Sequence, residues 1–80
     1  MDDRQIVKQI GELAEEEHQL ERSHTGQALA GAELARLREI EVALDQCWDL
    51  LRQRRARRET GHDPDVAAVR PESVVEGYLQ

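Results

Sequence analysis

Glu15 and His18, in the run EEEH, stand three residues apart. This is the i, i+3 spacing with which a carboxylate and an imidazole are presented to a metal pair inside a four-helix bundle. That chemistry needs both side chains to point inward and to be met by glutamates of facing helices. The apolar frame set by Ile10 and Leu13 turns Glu15 and His18 outward and leaves Glu17 as the inward member, with Glu41 the nearest carboxylate across a hairpin. Glu17, His18 and Glu41 are therefore the metal-ligand candidates. The competing reading is a solvated or arginine-paired acidic face, in which Arg36 and Arg38 relieve any approach of Glu17 to Glu41. The second reading is preferred, and neither a metal nor a cofactor is expected. His24 and His62 have no identifiable partners.

A second concentration of chemistry lies in LDQCWDLLRQRRARRE, residues 44 to 59, which holds the chain's one cysteine, its one tryptophan and the basic band Arg52, Arg54, Arg55, Arg57 and Arg58. Phosphate binding would need a basic surface unopposed by nearby acid, with aromatic platforms if the ligand were single-stranded nucleic acid. Here the neighbouring segments are acidic: residues 1 to 50 carry −7, residues 51 to 58 carry +5 and residues 59 to 80 carry −4, for a total of −6. In an antiparallel hairpin turning near residues 24 to 30, Arg52 and Arg55 are expected beside Asp2 and Asp3. Arginines at the negative end of a helix are favoured by its dipole without any ligand, so the band reads as a locally neutralised helix end and nucleic acid is disfavoured. Cys47 reads as a small buried hydrophobe, and Trp48 as the anchor of an interface between subunits. No nucleophile, base and orienting group can be assembled, since Ser23 and Thr25 are the only hydroxyl side chains of those types before Thr60. No catalytic residue is assigned, and an enzyme is not expected.

The elements that carry these residues are helices. Ile6, Ile10, Leu13 and Leu20 step by 4 and 3 with Glu17 in the remaining slot, which predicts a first helix over 3 to 23 capped by Asp2 or Asp3. HTGQALA, residues 24 to 30, is polar with a glycine and predicts the turn. Leu37, Ile40, Leu44, Cys47 and Leu51 step 3, 4, 3, 4 and predict a second helix over 31 to 58. A second seam overlaps it: Leu34, Leu37, Leu44, Trp48 and Leu51, with Glu41 as its polar member. Two seams imply two neighbours, the first helix and, most simply, a second copy of the chain. That second seam is the expected dimer interface.

Gly61 is placed to end the second helix, and Pro64 and Pro71 can each open only a short turn. Residues 61 to 80 therefore read as an extended or short-helical arm, with Val74, Val75, Tyr78 and Leu79 spaced to dock on a helix surface. The expected fold is all-α: a two-helix hairpin over 1 to 60 with an arm over 61 to 80, dimerising into a four-helix bundle. Eighty residues are near the lower limit for an unaided core, which favours such help. A single cysteine excludes an internal disulfide, and MDDRQIVKQI has neither the charge nor the apolar run of a leader or membrane span. A cytoplasmic setting is expected.

The blocks EEHQL (16 to 20), LREIEVALDQCWDLLRQRRARRE (37 to 59) and GHDPDVAAVRPESVVEGYLQ (61 to 80) resemble a family of small actinobacterial proteins known as domain of unknown function 2630. AGAE, residues 30 to 33, departs from the Ser/Thr-plus-proline start expected of the second helix, which predicts fraying there. The resemblance implies a small cytoplasmic helical protein and lends no catalytic residues. The functional expectation is a non-enzymatic homodimeric interaction or structural module, with an unidentified protein partner possible. The alternatives are a metal-binding four-helix assembly through Glu17, His18 and Glu41, and behind it a nucleic-acid role for the arginine band.

Overall fold

A computed structural model describes residues 1–23 and 30–77. Two long helices, α1 (Asp3–Ser23) and α2 (Gly31–Glu59), pack against each other as a hairpin; a 3-10 turn (Pro64–Val66) and a five-residue helix, α3 (Glu72–Glu76), follow. No strand occurs among the described residues. The expected turn lies mostly outside them, as do Tyr78 and Leu79.

Local chemistry accounts for the helix limits. Asp2 Oδ1 accepts from the backbone N–H of Gln5 (2.8 Å), while the Gln5 side-chain oxygen accepts from the Asp2 N–H (2.9 Å). This reciprocal box satisfies two amides that the helix itself cannot. At the start of α2, Ala30 supplies no side-chain cap. Its end is closed by Gly61 at φ 76°, a conformation that favours glycine: the N–H of His62 reaches the Arg57 carbonyl (2.8 Å) and that of Gly61 the Arg58 carbonyl (3.2 Å). These are the two bonds of a Schellman turn. Beyond it Pro64 opens the 3-10 turn and Pro71 opens α3.

The molecule measures 50 × 26 × 15 Å, too thin for an interior more than one layer of side chains deep. Ile6 on α1 meets Cys47 and Leu50 on α2, with Ile10, Leu13, Leu51 and Ala67 packed around them. Ile40 and Val75 are also buried. Ile40 and Cys47 are thus the buried members of the expected seam, and Leu37, Leu44 and Leu51 are half-buried.

Leu50 belonged to neither seam, and its burial shows what the arm does. Residues 61 to 77 return along α2, and both the 3-10 turn and α3 contact it. The second neighbour of α2 within the chain is therefore the arm. It covers the side carrying Gln46, Asp49, Leu50 and Gln53, not the side carrying Leu34 and Trp48.

Candidate interaction surface

Two buried charges fix the arm. Arg54 is 5% exposed. Its Nε donates to Asp3 Oδ1 on α1, and its Nη1 donates to the Pro64 carbonyl (3.1 Å) and to Asp65 Oδ1 (3.0 Å). Arg58, one turn on, adds bonds to Asp3 Oδ1 (3.2 Å) and Oδ2 (2.7 Å). One guanidinium thus joins the start of α1, the end of α2 and the 3-10 turn. The hydrogen bonds from Arg58 and then Arg54 hold the Asp3 carboxyl below its usual range, and Asp3 in turn raises the pKa of Arg54.

The second charge is Asp49, 1% exposed in the middle of α2. Arg70 of the arm grips it with two nitrogens, Nε to Oδ2 (2.9 Å) and Nη2 to Oδ1. Gln53 Nε2 also donates to Oδ2 (2.9 Å) and to the Ala68 carbonyl (2.9 Å), and Gln46 donates to the Arg70 carbonyl (3.3 Å). The Arg70 hydrogen bonds keep the Asp49 carboxyl below its ordinary value despite the opposing effect of burial. A bidentate guanidinium–carboxylate pair fixes orientation as well as contact.

The arginine band is therefore two kinds of residue. Arg52 and Arg55 do not lie beside Asp2 and Asp3 as expected; Arg54 and Arg58 take Asp3, and Arg55 pairs with Glu59 (3.0 Å). Adding residue numbers across a hairpin gives the level along the axis but not the face. At about 100° per residue, Arg52 and Arg55 are turned well away from Arg54. Arg54, expected in a solvated band, is buried instead.

The acidic candidates are similarly divided. Glu15 and His18 are exposed, as the apolar frame implied, and Glu17 is half-buried. Arg36 pairs not with Glu17 or Glu41 but with Glu16 (2.6 and 2.8 Å) and Glu39 (3.2 Å), holding the Glu16 carboxyl low. Among the described residues no three His, Cys, Asp or Glu side chains come together as a metal site, so Glu17, His18 and Glu41 do not form one within a single chain.

Glu41 instead belongs with three further carboxylates, Asp45 on α2 and Glu72 and Glu76 on α3. Burial, then Asp45, Glu72 and Glu41 in turn, push the Glu76 carboxyl above its ordinary range. One Glu76 oxygen, Oε1, is buried without a hydrogen-bond partner. The signal for this cluster was present in the sequence as two i, i+4 acid pairs, but nothing there showed that the arm would lay them together. Cys47 is buried, and burial raises its thiol pKa, opposite to what a reactive thiol requires.

What remains uncovered is one long stripe of α2. Trp48 is 48% and Leu34 is 40% exposed. Leu37 and Leu44 stand half-buried between α1 and the stripe, and Glu41, Arg52 and Arg55 are exposed along it.

A family profile for proteins of unknown function, DUF2630, matches residues 2–80. The chain belongs to this family. Uncharacterized proteins of Mycobacterium bovis (Mb0922c) and Mycobacterium tuberculosis (Rv0898c) are each 49% identical to it over 77 residues, covering 95% of this chain and 88% of the relative. The DUF2630 chain matches no solved structure. No helix among its described residues is long and apolar enough to cross a membrane.

Proposed function

We propose that this DUF2630 protein is a non-enzymatic, cytoplasmic interaction module that acts as a homodimer, with Leu34, Leu37, Leu44, Trp48 and Leu51 of α2 as the shared face. The observation that carries this reading is the half-exposed Trp48 on a helix whose other two sides are already covered, one by α1 and one by the arm. An indole left in water forfeits more apolar burial than any other side chain of the stripe. The α2 faces of two copies together would make a four-helix bundle and thicken a core that is one side chain deep.

Neither alternative gains support. The metal candidates do not come together among the described residues of one chain. Arg54 and Arg58 are engaged with Asp3 and Arg55 with Glu59, so acid already lies against three of the five arginines of the band.

Sedimentation equilibrium over a wide concentration range tests the proposal, comparing the native chain with Trp48→Ala. The native chain should dimerise. Because Trp48 is half-exposed within one copy, the variant should stay helical and lose association rather than fold. A native chain that remains monomeric and cooperatively folded at the highest concentration would refute the proposal.

A further inference from the structure

The exposed stripe of α2 changes sign along its length. Its amino-terminal part carries Glu41, beside the uncompensated carboxylates of Asp45, Glu72 and Glu76; its carboxy-terminal part carries Arg52 and Arg55. Trp48 lies between them. Glu41 and Arg55 are each seven residues from Trp48. Seven residues are two turns, so all three lie on nearly one line, with each charge about 10 Å from the indole-bearing Cα.

This spacing has a consequence for a second copy seated on the stripe. A parallel arrangement would place Glu41 on Glu41 and Arg55 on Arg55, like against like. An antiparallel arrangement with its two-fold axis at Trp48 would place each Glu41 against an Arg55, stack the two indoles at the centre and oppose the helix dipoles.

Resting on the dimer proposed above, we infer that the second copy lies antiparallel across Trp48, with the Glu41 carboxylate of each chain against the Arg55 guanidinium of the other. Its Arg52 then lies over Leu44, its aliphatic stem on the leucine and its charge toward the acidic cluster. Arg55 can leave Glu59 at little cost, since both side chains are mostly in water (78% and 63% exposed). The acidic cluster adds independent support: a buried carboxylate oxygen without a partner and a carboxyl pushed toward protonation are what negative charge looks like when no cation answers it. Leu34 falls opposite the end of the second copy's α2, at the rim of the contact.

Charge reversal tests the orientation. In an antiparallel dimer Glu41→Arg or Arg55→Glu alone should weaken association about ten-fold or more, because each change acts at two symmetric places and replaces attraction by repulsion. The double variant Glu41→Arg/Arg55→Glu should restore the native dissociation constant to within a few-fold. Leu34→Asp should weaken it less than Trp48→Ala. Circular dichroism of each exposed-site variant should match the native chain, so that association alone has changed.

If the native chain dimerises and the single reversals leave its dissociation constant unchanged, the antiparallel pairing is wrong and the dimer stands. A double variant that fails to recover overturns the pairing in the same way. A native chain that is monomeric throughout overturns both, and the stripe then belongs to a different partner.

Discussion

Replacing Arg70 by methionine keeps most of the side chain's aliphatic length but removes the guanidinium that grips Asp49. The carboxylate is left 1% exposed with Gln53 as its remaining side-chain donor. Removing one partner of a fully buried ion pair costs about 3 to 5 kcal/mol, because the other charge stays behind uncompensated. Arg70 is itself 34% exposed, so water can reach the vacated space, and the expected loss is about 2 to 3 kcal/mol at neutral pH. For a domain of this size that is a fall in Tm of roughly 10 °C or more. Thermal and urea unfolding followed by circular dichroism, at one fixed protein concentration, would measure it.

The pH dependence carries a second, independent sign. In the native chain Arg70 holds the Asp49 carboxyl below its unfolded value of about 3.9. Its contribution is therefore complete above that value and is lost as pH falls through the folded pKa. In Arg70→Met the strongest opponent of burial is gone, and burial, now opposed only by Gln53 and the charge of Arg52, moves the carboxyl upward. The folded variant then takes up a proton before the unfolded chain does, so the gap between native and variant should narrow from pH 7 toward pH 4. Adding Asp49→Leu to Arg70→Met should recover most of the loss, since a buried pair replaced on both sides leaves no orphaned charge. A loss below about 1 kcal/mol at pH 7, or a gap that does not change with pH, would refute the role given to this pair.

Two further outcomes follow from local geometry. Gly61→Ala should destabilise the chain by about 1 kcal/mol: no neighbouring atom obstructs a Cβ there, so the cost comes from the left-handed backbone alone, measurable as a shift in the urea midpoint. Cys47 should react with a thiol reagent far more slowly in the native protein than in denaturant, because its sulfur is buried against Ile6 and Leu50 with a raised pKa; a rate near that of the unfolded chain would contradict the packing.

The helices were legible because their signals are local and periodic. The 3, 4 spacing from Ile6 to Leu13 and from Leu37 to Leu51, Asp2 before a glutamine, and Gly61 between a helix and a proline each state a boundary within a few residues. The docking of α3 was legible in the spacing that includes Val75, which is buried, but the course of the rest of the arm was not. Ala67, Ala68 and Val69 are too small to announce a docked segment, Arg54 reads as one member of a solvated band, and nothing marks Asp49 for burial, because charged side chains are rarely buried unless paired. Their partners lie 21 and 51 residues away, at Arg70 and Asp3. A pairing at that distance has no period to detect. The helix phase offered one clue: Asp49 and Gln53 lie one turn apart on a polar line of α2, turned away from Trp48, where a covering segment needed hydrogen-bond partners as much as apolar ones.

Those buried charges also explain why a segment so poor in large side chains holds one position on α2. Ala67 and Val75 anchor it, but an extended chain of small residues could slide between equivalent apolar contacts at little cost. A guanidinium gripping a carboxylate at two atoms cannot slide, because any shift leaves Asp49 buried without its charge partner. Arg54 does the same at the other end, where losing the Pro64 carbonyl and Asp65 would strand a cation against Asp3 alone. With both ends pinned, α3 is held on the Asp45 side of α2, with Glu76 near Asp45 and Glu41 and with Val74 exposed. The arm thereby covers the side of the long helix that α1 does not, leaves the third uncovered, and sets negative charge at one end of that third side, opposite in sign to Arg52 and Arg55 at the other. The polarity from which the antiparallel pairing is inferred is thus set by the same two ion pairs that hold the arm in place.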